Sequence, residues 1–238
     1  MRGPDLGLLI AAAFVASSCT KPQDPASEGA RLMGQLKAAS GGAALDVPAG
    51  FHEKGDVVLE GVRGTYEGWG DLHALRSAGT HTLGGRTSTS GFDGQKAWSV
   101  GPDGAAQTDT SPQGLASARR STYLTISGFF YPDRFPARFE SRGRKEAEGT
   151  MYDVVTVTPA DSLPTDLWLD VRTHRLQRID GVEGTTKFAG MVRRFEVVDG
   201  IWCPFALSQT EGNRHMTQDV TSVVFEQIPP ERFAPPSN

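Results

Sequence analysis

Two cysteines, five histidines and a scatter of carboxylates are the side chains of this 238-residue sequence best able to do covalent, metal or acid–base chemistry. Cys19 is the most telling of them. Ahead of it stand one early cation, Arg2, then the apolar run Leu6 to Val15 (LGLLIAAAFV), then Ala16-Ser17-Ser18. A short positive start, an apolar segment too short to span a bilayer and small residues before the cysteine make an export signal of the lipoprotein type. Residues 1–18 are read as that signal, and the Cys19 thiol would carry a diacylglycerol that ties the body to a membrane surface without spanning it. Ala16 stands where leucine is usual and Asp5 dilutes the positive start, yet an ordinary secretory signal cut nearby would export the chain just the same. Thr20, in place of an aspartate after the cysteine, matches outer-membrane destination in the Gram-negative sorting scheme, with the body facing the periplasm.

The remaining candidates offer less chemistry. Cys203 lies between Trp202 and Pro204 in an apolar run, where a cysteine acts as a small hydrophobe because the reactive thiolate is disfavoured. With Cys19 lipidated it has no disulfide partner, so the fold relies on its core. His52, His73, His81, His174 and His215 are scattered. His73 and His81 could approach each other beside Asp71 if their strands pair, but no ordered ligand spacing accompanies them, and neither a metal nor a cofactor is expected. No serine sits in a glycine-flanked nucleophile turn, and no phosphate-cradling or calcium loop occurs. Asp166, Asp170 and Asp180 lie near strand ends, and acid–base work would require two of them to converge in one cleft. The chain therefore reads as non-enzymatic. A net charge of −4 without clustering of either sign excludes a nucleic-acid face.

These residues must be positioned by one domain, residues 27–238, behind a short tether at 19–26 (CTKPQDPA) that is polar and carries two prolines. Ser27 can cap a helix whose Leu32, Met33, Leu36 and Ala39 recur at spacings of three and four, and Ser40-Gly41-Gly42 ends it. After Asp46 the pattern turns to short runs of Val, Thr, Tyr, Phe and Trp broken by turn residues, the signature of an antiparallel sheet. Asp-Gly pairs at 93–94, 103–104, 180–181 and 199–200 suit tight hairpins, the clearest joining Phe188–Val198 to Ile201–Thr210. Period-two alternation at Phe135, Ala137 and Phe139, and at Leu167, Leu169 and Val171, gives the sheet one apolar face and one mostly wet face. A second helix opens at Ser111-Pro112, with Leu115, Ala118, Thr122 and Ile126 on one side and Gly128 at its end. Phe129, Phe130 and Tyr131 follow as a core plug or, alternatively, as a gate over a ligand. The last strand is expected over Val220–Ile228, stopped by Pro229-Pro230.

Several strings in order carry a family resemblance: Gly91-Phe92-Asp93-Gly94 with Trp98, then Tyr152–Thr158 (YDVVTVT), Leu167-Trp168-Leu169-Asp170 with Leu176, Phe195–Phe205 (FEVVDGIWCPF) and Arg232-Phe233. The chain resembles the LolA/LolB-like superfamily of exported lipoprotein carriers and receptors, and also the domain preceding the protease module in some bacterial retropepsin-like aspartyl proteases. No Asp-Thr-Gly catalytic motif is present; the nearest string, Asp109-Thr110-Ser111, lacks the glycine. The resemblance implies an α+β, mostly antiparallel fold, an unclosed curved β half-barrel wrapped around a small number of helices. It further implies binding of a lipophilic small molecule or a lipoprotein acyl chain in an apolar cavity between sheet and helices. Trp98, Phe130, Phe139, Leu167, Trp168, Trp202 and Phe205 are the candidates to line it, Trp168 being set opposite the leucines of its strand and so placed for contact outside the main core. The alternative is a core-filled interaction module that docks an envelope protein, such as a protease or transport component.

Overall fold

The computed structural model describes residues 24–235. The expected export signal at 1–18, Cys19 and most of the expected tether at 19–26 lie outside them. One antiparallel sheet of 13 strands dominates: β1 (Gly50–Leu59), β2 (Val62–Asp71), β3 (Arg76–Leu83), β4 (Arg86–Phe92), β5 (Ala97–Val100), β6 (Ala106–Asp109), β7 (Ala137–Ala147), β8 (Thr150–Pro159), β9 (Thr165–Asp170), β10 (Leu176–Glu183), β11 (Thr186–Val198), β12 (Ile201–Glu211) and β13 (Arg214–Phe225). The spatial order is β6-β5-β4-β3-β2-β1-β13-β12-β11-β10-β9-β8-β7. Every neighbour is also a sequence neighbour except β1 and β13, and the outermost strands β6 and β7 do not pair, so the sheet is an unclosed half-barrel.

Two helices line its inside. The first, α1 (Pro25–Ser40), packs on β7 and β8 and reaches β12. The second, α2 (Pro112–Thr125), joins β6 to β7 and touches β3, β4 and β5 on one flank and β8 on the other, so it bridges the opening of the sheet. Helix α1 turns Gly29, Leu32, Met33, Leu36 and Ser40 inward, while Ala39 is only half-buried. Its start differs from the expected cap at Ser27. Asp24 accepts from the Ser27 backbone N–H at 3.1 Å and Pro25 fills the first turn, where its missing N–H costs nothing, so part of the supposed tether is helix. Gly29 sets the depth of α1: a Cβ there would stand 2.7 Å from the Phe139 carbonyl oxygen of β7. In α2 the Ser111 hydroxyl accepts from Gly114 N–H as expected, but the buried face is Arg120, Thr122, Tyr123 and Ile126, with Leu115 half-buried.

Asp199-Gly200 forms the two-residue turn between β11 and β12, both with positive φ (51° and 81°), the geometry that matches the twist of the flanking strands. The pairs at 93–94 and 103–104 fall in the β4–β5 and β5–β6 loops. Asp180-Gly181 does not make a turn. It lies inside β10, because Gly181 sits opposite Phe188 of β11 and the phenyl ring occupies the space a Cβ would take, 2.3 Å away; the turn moves on to residues 184–185.

The last strand ends at Phe225, three residues earlier than Ile228, and the chain beyond it crosses to the outer face. There Ile228 and Phe233, the latter 0% exposed, bury the indoles of Trp69 and Trp98 beside Ala78. Trp69, Ala78, Gly91 and Trp98 are successive cross-strand partners, and the small residues between the two tryptophans leave room for the rings. The outer face is therefore wet only in part.

Candidate functional site

The inward face of the half-barrel is where the expected binding residues can be tested against geometry. Phe130, Leu167 and Phe205 are buried in the main core, and Phe139 packs half-buried against it. Phe129, Phe130, Tyr131 and Phe135 stack edge to face in series, with Tyr123 joining Phe129 at 6.3 Å, so the aromatic run after α2 is a core plug. Tyr131 Oη–H donates to the Leu45 carbonyl at 2.9 Å, and burial pushes its phenol up to about 12.

Three of the candidates lie elsewhere. Trp98 belongs to the outer cluster, its Nε1–H donating to the Phe233 carbonyl at 2.8 Å. Trp168 faces outward beside Tyr152, with the Arg178 guanidinium 4.9 Å from its ring centroid and Lys145 Nζ at 5.4 Å. Trp202 stands outside the main core, covered by the Arg175 guanidinium at 3.5 Å, whose Nε–H also donates to Ala39 O at the C-terminal end of α1. Alternation within one strand assigns the two faces only relative to each other, and only cross-strand register reveals which face of β5 is inside.

Cys203 is buried and its thiol is pushed up to about 11, first by burial and then by the negative charge of Glu53, consistent with an unreactive core residue. His73 and His81 do not form a metal centre, and no cluster of three or more His, Cys, Asp or Glu able to hold an ion occurs among the described residues. Asp71 instead accepts from His73 N–H and Ala74 N–H (2.8 and 2.9 Å) and pairs with Arg76, shaping the β2–β3 turn.

Two carboxylates do converge. Asp166 and Asp180 are direct cross-strand partners on β9 and β10, in an open groove of about 1210 Å³ that also includes Arg142, Thr156, Arg178, Lys187 and Phe188. Each is already satisfied: Thr156 donates to Asp166 and receives Arg142 Nε–H at 2.7 Å, while Arg178 Nε–H donates to Asp180 at 2.7 Å. The groove thus holds the ion pair Arg178–Asp180 beside the hydrogen-bonded chain Arg142–Thr156–Asp166.

The polar feature that strand alternation could have exposed is Glu53. It occupies an inward position of β1, between Phe51 and Gly55, in a row that crosses the sheet as Ser90 (β4), Gly79 (β3), Gly68 (β2), Glu53 (β1) and Val223 (β13). Its carboxyl lies over Gly68, with Oε1 3.1 Å from where a Cβ would be. Protein surrounds the group, although some solvent reaches its surface, and desolvation raises its pKa to about 7. Among the described residues nothing hydrogen-bonds or ion-pairs with it. The neighbouring row holds Gly55, Tyr66, His81 and Ser88; the Tyr66 and His81 rings stack at 6.0 Å, burial lowers the His81 pKa, and burial with the Glu53 charge raises that of Tyr66.

No protein-family model and no curated protein sequence matches the chain. Solved structures do. A DUF1329 family protein from Desulfovibrio piger superposes with a TM-score of 0.56 at 13% identity, over 85% of this chain and 93% of that one. A putative outer membrane lipoprotein-sorting protein domain from Vibrio parahaemolyticus gives 0.55 at 11% identity, over 84% and 93%. A LolA superfamily protein from Nitrosomonas europaea gives 0.56 at 13% identity, over 82% and 98%. The open 13-stranded sheet curled over two helices is thus a LolA-like fold.

Proposed function

We propose that this protein is a non-enzymatic lipoprotein of the cell envelope, anchored through Cys19 to the outer membrane and facing the periplasm, that holds a lipophilic ligand such as an acyl chain or lipoprotein lipid against the inward face of its half-barrel. The observation that carries this reading is the apolar band across the middle of the sheet. Leu83 (β3), Gly64 (β2), Val57 (β1), Gln218 (β13), Leu207 (β12) and Val192 (β11) are successive register partners on that face, with Gln218 the one polar side chain among them. Leu83 and Leu207 are only partly buried, and so is Met216 one row further on. Apolar surface facing the inside of a curved sheet favours a hydrocarbon guest, since removing it from water is worth about 25 cal/mol per Å². The lipoprotein-sorting description of the Vibrio protein with the same fold supports it. Residues 20–238 expressed in soluble exported form are expected to yield stoichiometric lipid on denaturing extraction and mass spectrometry. An empty protein that also fails to take up a fluorescent fatty acid refutes the reading.

A second reading has its own observation. The aromatic run after α2 packs into the main core, and an open depression of mixed charge lies across β8–β12 with the half-buried Phe188 among its lining residues. A core-filled module that docks an envelope protein through that groove is expected to return one defined partner on crosslinking in whole envelopes, and a featureless result removes it.

A further inference from the structure

We propose that the recess formed by Glu53, Gly68 and Gly79 is the polar end of the ligand site and selects a lipophilic molecule that carries a protonated amine. This rests on the ligand reading above and specifies the head group. Gly68 and Gly79 are adjacent cross-strand partners, so two consecutive inward positions lack side chains. A Cβ at Gly79 would meet only the Glu67 carbonyl, at 3.5 Å, so no side chain from the helices or the sheet comes within 4 Å of that position. The Glu53 carboxyl stands at the rim of that space, over Gly68.

The titratable groups that feel this carboxyl's charge are Tyr66 on β2 and Cys203 on β12, with His81 of β3 stacked on the Tyr66 ring; the exposed Asp219 of β13 pairs with Asp56 on the opposite face. None supplies a cation. Tyr66 and Cys203 are held protonated and neutral, and His81 is biased to its neutral form. A buried carboxylate without a counter-charge is costly, and a site that leaves one exposed to the ligand space is complementary to a positive group. An ammonium would form a charge-assisted hydrogen bond with Glu53 in surroundings of low dielectric, a hydroxyl would form a neutral one, and a carboxylate would be repelled. The apolar band through Val57 and Leu207 begins two rows away on the same face and would receive the hydrocarbon tail.

The test is equilibrium binding of dodecylamine, 1-dodecanol and dodecanoic acid, each below its micellar concentration, to the purified full chain at pH 6 and pH 8. Glu53 ionises across this interval, so dodecylamine affinity is expected to rise about ten-fold, dodecanoate affinity to fall by a similar factor and dodecanol affinity to stay level. In the Glu53→Gln variant the amine preference and both pH dependences should vanish while dodecanol binding persists, which also shows that the variant is folded. If dodecanol binds but the wild-type chain shows no pH-dependent preference for the amine, the head-group assignment is wrong and the ligand reading stands. An amine preference kept intact in the variant overturns it as well. Failure of all three compounds to bind refutes the ligand reading and this assignment together.

Discussion

Glu53 is the residue whose environment departs furthest from what its side chain prefers. Unfolded, its carboxyl titrates near 4.5, and in the folded chain near 7. Below the lower value both states are protonated and the group is neutral to stability. Between the two values the unfolded chain gives up its proton first, so stability declines as pH rises through the window and levels off above about 7. Glu53→Gln removes the decline and should make the chain more stable than wild type at pH 8, by up to about 3 kcal/mol, with little difference at pH 4. Urea unfolding at a series of pH values reads this directly, and parallel profiles for the two proteins would refute it. Cys203 shows the opposite relation between residue and neighbours. Its burial was foreseeable from an apolar context, whereas the influence of Glu53 upon it depends on β1 and β12 facing a common interior.

At the scale of elements, the contact between α1 and β7 is set by one glycine. Gly29 and Gly34 belong to the same helix, and intrinsic helix propensity favours alanine at both. Gly34 has nothing within 4 Å of a Cβ, so Gly34→Ala should stabilise by about 0.5–1 kcal/mol. At Gly29 the Phe139 carbonyl stands in the way, and Gly29→Ala should cost about 1–3 kcal/mol by forcing the helix off the sheet. Thermal melts of the two variants should move in opposite directions; a common direction would show that propensity, not close approach, governs α1. Much at this scale was legible in the sequence: the two helices, the Asp199-Gly200 hairpin and the up-and-down order all follow from local patterns. Asp180-Gly181 was misread because a turn signal and a glycine left bare for a cross-strand aromatic look alike until Phe188 is known to be its partner. Trp98 and Trp202 were candidates to line the interior because an indole in a strand announces burial without saying on which side, whereas Trp168, set opposite Leu167 and Leu169, was legible as facing away from the main core. The recess at Glu53 was hidden for a related reason: alternation tells which side chains point inward, but only the seating of the helices tells which inward positions stay uncovered.

For the molecule as a whole, stability should depend on the segment that follows the last strand. Phe233 is fully buried and closes the outer cluster over Trp69 and Trp98. Phe233→Ala is expected to cost about 3–5 kcal/mol, the range for emptying a buried aromatic site, and to shift tryptophan emission to longer wavelength as the indoles meet water. A variant with unchanged stability and emission would show that the segment is dispensable. Only one pairing, β1 with β13, unites the run β1–β6 with the run β7–β13. It brings together residues such as Phe51 and Phe225 that lie far apart along the chain. Time enters the structure at that joint. A contact spanning most of the sequence forms late, because closing so long a loop must precede any gain from it. The first strands can emerge from the ribosome without committing to their final neighbour, and the native sheet is sealed only when the last strand arrives.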